Sequence, residues 1–254
     1  MLEAHLHRGQ GAGLQGLALQ APAARIVAMA SHGNQNGELS LLWSLCSTLA
    51  DFGYPVAVLD ATTAESADNP GLEQLLDDAR WRSDTPGGSL PWSVIPAALG
   101  LQQLCTRHAE CRPRLDPIRN QLQGFGVIVI YARADVLTRL LPDSGIEPLL
   151  TVSPVDLSPV TAYQALKHML QNAQLRPTIA SLVRAPLSTM AMTDFSPVRN
   201  LQKCALKFLG YQPDSFAIDT SKRHEHPANE VRRLALRLLE NAMPLHRNPS
   251  PESR

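Results

Sequence analysis

Short apolar runs alternate with helical periodicity along most of this chain. The first run, Ile26 to Ala30, is too short for a helix and is bounded by polar residues, so it predicts a buried strand. From Glu38 the apolar positions recur with helical spacing until Gly53, which indicates a helix stop. A second apolar run, Val56 to Leu59, then ends on Asp60. The pattern predicts a strand, loop, helix and strand unit, whose glycine-containing loop is where nucleotide phosphates usually bind.

The same alternation continues to residue 241. It predicts further strands at 92–95, 126–130, 149–152, 178–183 and 216–218. Between them it predicts helices at 69–76, 100–105, 115–123, 134–141, 158–172, 198–209 and 228–241. Such alternation predicts an α/β fold, a doubly wound and mostly parallel sheet flanked by helices. We expect one domain over 25–242, a mobile N-terminal segment over 1–24 and a disordered tail over 243–254.

Composition excludes several classes of protein. The 254 residues are 44% hydrophobic, enough for one large core. Lys and Arg equal Asp and Glu at 23 each, which disfavours nucleic acid and anionic lipid as partners. No apolar stretch approaches a membrane span of ~20 residues, and the N-terminus lacks a secretory pattern. Four cysteines without metal-ligand spacing indicate reduced thiols in a cytoplasmic protein.

The loop after the first strand has the shape of a phosphate cradle without its chemistry. A working P-loop places a lysine and then a Ser or Thr after its last glycine, to reach phosphate and magnesium. After Gly37 this chain has Glu38, which repels phosphate, and Leu39, which cannot bind a metal. We therefore expect neither cofactor nor metal. The degenerate site is predicted to comprise Gly33, Asn34, Gln35, Asn36, Gly37, Glu38, Leu39, Asp60 and Tyr131.

Two residues of this site invite specific expectations. Asp60 is favoured as a strand-end turn residue over a remnant magnesium ligand, because its metal-binding companions are missing. Loss of the phosphate leaves amides at the helix N-terminus without an acceptor. We expect Glu38 to turn toward the N-terminal end of its own helix or to pair with a nearby cation. Residues 34–36 would then fill the empty site.

The alternation resembles the MinD/ParA family of deviant P-loop ATPases over roughly residues 25–240. The family loop reads G-K-G-G-x-G-K-T, and here Gly33, Glu38 and Leu39 replace the signature lysine, the phosphate lysine and the magnesium threonine. Asp60 matches the first aspartate of the family's D-x-D, but Thr62 replaces the second. Tyr131 stands where the aspartate of a third motif is expected. The resemblance therefore implies a pseudo-ATPase.

The non-catalytic parts are more similar to the family than the nucleotide motifs are. Ser153-Pro154 through Lys167 resembles its T-x-P-x-x-x-S-x-x-x-A-Y-x-x-x-K stretch. Within the family, Ser93 to Gly100 is similar to the I-P-A segment of the FlhG type of flagellar regulator. The N-terminal segment resembles the D-Q-A-x-x-L-R motif by which that type stimulates the GTPase FlhF. Its candidate partner-binding residues are Gln10, Leu14 and Leu17.

The resemblance implies a non-catalytic interaction protein in the placement or number control of flagella or a related envelope machine. Its implied partners are an FlhF-like GTPase or an active MinD-like paralogue, with no nucleic acid and no stable membrane anchor. We expect a monomer or a nucleotide-independent dimer, recruited by a partner to the inner membrane or cell pole. The alternative is a weak ATPase with an unorthodox site.

Overall fold

The computed structural model describes residues 23–32, 37–77, 92–107, 115–153, 158–183, 197–219 and 229–245. The strands are β1 (Arg25–Ala30), β2 (Val56–Asp60), β3 (Trp92–Pro96), β4 (Val127–Ala132), β5 (Leu149–Val152), β6 (Thr178–Val183), β7 (Ser215–Asp219) and β8 (Met243–Pro244). The helices are α1 (Glu38–Asp51), α2 (Leu72–Asp77), α3 (Ala98–Arg107), α4 (Asp116–Gln121), α5 (Ala134–Leu140), α6 (Ser158–Ala173), α7 (Pro197–Leu209) and α8 (Asn229–Glu240).

The strands form one sheet in the order β3-β2-β4-β1-β5-β6-β7. Every pair along this path is parallel. Neighbouring parallel strands need a crossover connection between them, so helices cover both faces of the sheet and the central strands are mostly apolar. β1 and β4 are therefore almost wholly buried. The predicted doubly wound, mostly parallel α/β fold is confirmed.

Two apolar layers enclose the sheet. One face packs against α1 and α8, and its core includes Leu45, Leu49 and Leu234. The other face packs against helices that include α3, α5 and α6, with a core that includes Leu101, Leu137 and Leu166. No helix in the described ranges is long and apolar enough to cross a membrane. The amphipathic α8 instead uses its apolar stripe within the fold.

β8 was not foreseen, since the sequence pattern placed residues 243–254 in a tail. It pairs antiparallel with the start of β1, Arg25 opposite Pro244 and Ile26 opposite Met243. β5 pairs with β1 only at Met29 and Ala30, so the first half of β1 has room for a partner on that side. Two residues carry too little periodicity to signal a strand. Backbone pairing with β1 is therefore what makes these two residues a strand.

Candidate functional site

The candidate site is built around the first residue of α1. Gly37 has φ of +88°, a left-handed conformation in which glycine is favoured, and it turns the chain into the helix. Glu38 follows, and only 1% of its surface is exposed. A buried carboxylate is costly unless hydrogen-bond donors surround it. Its partners therefore define what this site does.

Three donors from separate parts of the chain reach the Glu38 carboxylate. The backbone N–H of His32 donates to Oε1 at 2.9 Å. The Thr151 hydroxyl donates to the same oxygen at 3.0 Å. The Tyr131 hydroxyl donates to Oε2 at 2.8 Å. We call Glu38, Tyr131, Thr151 and His32 the Glu38 cluster.

The Glu38 cluster lies at the carboxyl ends of the central strands. Tyr131 is near the end of β4, Thr151 lies in β5, and His32 follows β1 by two residues. In open α/β sheets, ligands bind at this edge of the sheet. The carboxylate of Glu38 therefore lies at the edge of the sheet where open α/β folds commonly bind ligands.

The expected orientation of Glu38 was wrong. Among the described residues, its carboxylate bonds neither to the N-terminal amides of its own helix nor to a cation, but to the His32 amide and to hydroxyls of the neighbouring strands. The reason is that β4 and β5 supply two buried hydroxyls at the sheet edge. Charge-assisted hydrogen bonds to such donors are strong in a dry site. Pairing of Glu38 with residues 93 and 113 positions away is not visible in sequence spacing.

Burial sets the protonation of the cluster's other titratable groups. Burial raises the pKa of Tyr131 well above its usual value, a hydrogen bond with Ser31 opposes this, and the Glu38 charge adds to it. The phenol therefore stays a hydrogen-bond donor. Burial lowers the pKa of His32, although Glu38 and a hydrogen bond to the Thr151 backbone act in the opposite direction. Nε2 of His32 is buried and finds no hydrogen-bond partner among the described residues.

Asp60 lies beside the cluster but has a separate role. It is opposite Tyr131 in the β2–β4 register. Its Oδ1 accepts hydrogen bonds from the Thr62 backbone at 2.9 Å and from the Thr62 hydroxyl at 2.6 Å. Its Oδ2 accepts one from the Thr63 hydroxyl at 2.8 Å. These bonds fix the turn after β2, because an aspartate can bond the backbone two residues further along.

The remaining predicted residues divide into two groups. Leu39 is half-buried and packs against the core under α1, and so contributes to packing. The loop residues Gly33, Asn34, Gln35 and Asn36 lie outside the described residues. The partner-binding candidates Gln10, Leu14 and Leu17 also lie outside them.

Sequence reasoning missed a second buried carboxylate, Glu65. Its Oε1 accepts from the backbone N–H of Glu73 at 3.2 Å and of Gly100 at 2.9 Å. Its Oε2 accepts from the N–H of Leu99 at 2.7 Å. One side chain thereby caps α2 and α3 together. Glu65 lies in a polar loop, and its partners are up to 35 residues away, so no local capping pattern signals it.

The described residues do not fit a magnesium nucleotide. The His32 amide, which follows β1, already donates to the Glu38 carboxylate. A second negative charge ~4 Å away would be repelled by about 4 kcal/mol at an effective dielectric of about 20. Within the described ranges, no group of three His, Cys, Asp or Glu side chains could hold a metal ion.

Solved structures resemble this chain in fold at low sequence identity. The MinC:MinD complex of Aquifex aeolicus aligns with a TM-score of 0.56 and 14% identity, over 88% of this chain and 99% of that chain. A ParA family ATPase from Chlorobium tepidum TLS aligns with a TM-score of 0.52 and 13% identity, over 85% of this chain and 99% of that chain. The fold is that of the MinD and ParA ATPases.

A third similar structure contains a nucleotide. Cobyrinic acid a,c-diamide synthase from Mycobacterium smegmatis, with bound ATP analog and magnesium, aligns with a TM-score of 0.55 and 14% identity, over 85% of this chain and 95% of that chain. No protein-family model matches this chain, and no curated protein matches it in sequence. The MinD/ParA fold is thus shared at identities that carry no activity with them.

Proposed function

We propose that this chain is a non-enzymatic protein of the MinD/ParA fold that acts by binding protein partners. The observation that carries the proposal is the pairing of Glu38 with Tyr131. The resemblance to the family places these two residues where its phosphate lysine and the aspartate of its third motif stand. Two replacements that bond to each other form a coherent local structure, which supports replacement of the nucleotide chemistry by a fixed internal contact.

Electrostatics support the same conclusion. Glu38 takes its hydrogen bonds from two hydroxyls and an amide, so no cation among these partners neutralises its charge. A phosphate entering this edge of the sheet would meet that negative charge in a buried setting, where screening by salt is weak. Glu38 therefore both blocks the anion and supplies an acceptor in its place.

The proposed role is regulatory, in the placement or number control of flagella or a related envelope machine. Its support is the similarity of the segment around Ile95, Pro96 and Ala97 to regulators of the FlhG type. In the structure this segment ends β3 and leads into α3, whose first turn is held by Glu65. The proposed partner is an FlhF-like GTPase or a MinD-like paralogue.

Nucleotide binding tests the loss of ATPase chemistry. Mg-ATP, Mg-ADP and Mg-GTP are titrated into the full chain by calorimetry, with melting temperature as a second readout. A ligand at one hundred times its dissociation constant would stabilise the fold by about 2.7 kcal/mol. We expect no heat of binding, no shift in melting temperature and no phosphate release.

Two variants test whether the charge of Glu38 is the cause of the expected loss of nucleotide binding. Glu38→Gln keeps the size of the side chain and removes its charge, so weak ATP binding by this variant alone would show that the charge excludes the nucleotide. The double variant Glu38→Lys/Leu39→Thr should not hydrolyse ATP, because Thr62 and Tyr131 remain. Clear ATP binding or turnover by the unmodified chain would contradict the proposal and favour a weak ATPase.

Partner capture tests the regulatory role. Deletion of residues 1–20 should abolish binding of a purified FlhF-like GTPase while leaving the melting temperature unchanged. The double substitution Gln10→Ala/Leu14→Ala should weaken the same binding, and Lys167→Ala, on the exposed side of α6, serves as the control. Equal binding by the full and shortened chains would exclude the N-terminal segment as the docking element.

A further inference from the structure

The balanced total charge of this chain hides a strong separation of charge along the sequence. Residues 37–77 include seven acidic residues and no lysine or arginine. Residues 158–213 include six lysines and arginines and one acidic residue. Overall neutrality, which by itself disfavours an anionic surface as a partner, therefore conceals one acidic and one basic region.

The fold places these two regions toward opposite ends of the sheet. The acidic stretch includes α1, β2 and α2, and β2 pairs with the outer strand β3. The basic stretch includes α6, β6 and α7, and β6 pairs with β7 at the other end. Neighbouring strands are about 4.8 Å apart, so β3 and β7 are separated by roughly 30 Å. Charges separated in this way orient a protein toward a surface of opposite sign.

The basic region forms a continuous outer surface on two helices. α6 and α7 pack beside each other on one face of the sheet, and their buried sides belong to the same core. Arg199, Lys203 and Lys207 follow each other at four-residue intervals on the outer side of α7, and Lys167 is exposed on α6. We call the outer sides of these two helices the basic surface. Among the described residues, no carboxylate forms an ion pair with its three lysines.

Two large apolar side chains belong to the same surface. Leu206 is 53% exposed and Phe208 is 65% exposed, on either side of Lys207 in the sequence of α7. The ammonium group of Lys207 lies 5.3 Å from the centre of the Phe208 ring. Lysines attract anionic head groups, and exposed Leu and Phe side chains enter the boundary between head groups and acyl chains. The combination fits an anionic bilayer.

The choice of lysine also favours a bilayer over a protein or a nucleic acid. The chain has nineteen arginines and four lysines, and three of the four lysines lie on the basic surface. Arginine is enriched and lysine depleted at protein interfaces, and the planar guanidinium suits fixed carboxylates and nucleic-acid phosphates. A lysine carries a compact charge on a flexible stem, which suits lipid head groups that move past it.

We propose that the basic surface binds reversibly to a membrane rich in anionic phospholipids. The contact differs from an anchor formed by the last described helix, because α8 buries its apolar stripe against the other face of the sheet. With the basic surface on the bilayer, the acidic end of the sheet lies away from it. The contact does not involve the Glu38 cluster, so the inference is independent of the proposed loss of nucleotide chemistry.

Vesicle sedimentation of the full chain, without nucleotide, tests the inference. We expect binding to vesicles of mixed phosphatidylglycerol and phosphatidylcholine, and none to phosphatidylcholine alone. Most of this binding should be lost at high salt, because salt screens exposed charges.

A double substitution tests whether the basic surface makes the contact. Lys203→Gln/Lys207→Gln should weaken binding about 25-fold, since each lysine near such a membrane contributes about fivefold, or about 1 kcal/mol. Arg232→Gln/Arg233→Gln is the matched control, because both arginines are exposed on α8, on the other face of the sheet. The control should bind as the unmodified chain does.

A tryptophan reporter locates the contact. The emission of Phe208→Trp should shift to the blue on anionic vesicles, because the indole enters the interface. Val94→Trp, which replaces a 52% exposed side chain on β3, should show no shift.

Several outcomes would overturn the inference. They are no binding to anionic vesicles, equal binding to neutral vesicles, and unweakened binding by Lys203→Gln/Lys207→Gln. Duplex DNA of random sequence and polyglutamate are tested beside the vesicles. Tighter binding of either one, with the same dependence on the two lysines, would assign the surface to a nucleic acid or to an acidic protein instead.

Discussion

Two buried carboxylates hold this fold at different places and by different partners. Within the described part of the chain, Glu65 accepts hydrogen bonds from three backbone amides, those of Glu73, Leu99 and Gly100. Glu38 accepts one from the backbone of His32 and two from side-chain hydroxyls, on Tyr131 and Thr151. Neither carboxylate has a cation among these partners.

The difference separates a helix-capping site from a contact between side chains of distant strands. Any sequence that folds α2 and α3 against each other leaves the same amides to be satisfied, so the Glu65 site belongs to the fold. The Glu38 cluster needs particular side chains at three positions, so it belongs to this sequence. A change at Glu65 should therefore damage the fold itself, and a change at Glu38 should be reparable by changing its partners.

The largest effect is expected for Glu65→Ala. Three amides at the starts of α2 and α3 would lose their acceptor, and a buried orphan donor costs ~1–3 kcal/mol. Some of them would gain water, so we expect a loss of about 3 kcal/mol in the free energy of unfolding, measured by urea denaturation.

Glu65→Gln is the matched control for this site. Its amide oxygen can still accept, but its NH₂ group cannot, so the loss should be smaller than for alanine. Gly100→Ala probes the same corner, because a Cβ there would lie 2.8 Å from the backbone nitrogen of Glu73. Gly124→Ala, where no atom lies within 4 Å of the added carbon, should have little effect. A stable Glu65→Ala protein would show that water satisfies these amides.

A smaller effect is expected for Glu38→Ala, about 2 kcal/mol, because hydroxyls can rotate toward other acceptors while backbone amides cannot. Tyr131→Phe should cost about 1 kcal/mol. The double variant should cost less than the sum, since removing both partners leaves no orphan between them. Additive losses in urea denaturation would mean that the Glu38–Tyr131 bond contributes nothing specific.

The smallest effect is a pH dependence that only the Glu38 cluster should show. Burial lowers the pKa of His32 in the folded state, so the unfolded chain binds its proton first. The contribution of His32 to stability is therefore intact above the unfolded pKa of about 6.5 and declines as pH falls below it.

His32→Asn should remove this part of the slope in the free energy of unfolding between pH 7 and 5. Glu65→Gln should leave it in place, because none of the partners of Glu65 is titratable. An unchanged slope in His32→Asn would show that the imidazole is protonated equally in both states.

The sequence by itself determined the sheet-and-helix order. Buried parallel strands are apolar along most of their length, and Ile26 to Ala30 and Val127 to Ile130 satisfy this without help from neighbours. It also determined which side chains would be missing from the loop, because a lysine is either present after Gly37 or absent. Local periodicity and residue identity carry such information directly.

Only the tertiary structure decided where the two carboxylates point. Glu38 meets Tyr131 and Thr151 because β4 and β5 end beside β1, which depends on strand order. Glu65 caps α3 because the turn after β2 brings it to a helix that begins more than thirty residues later. The two residues of β8 joined the sheet because β1 had unpaired backbone there. Hydrogen bonds between distant segments depend on how the elements pack, and spacing along the chain does not encode that.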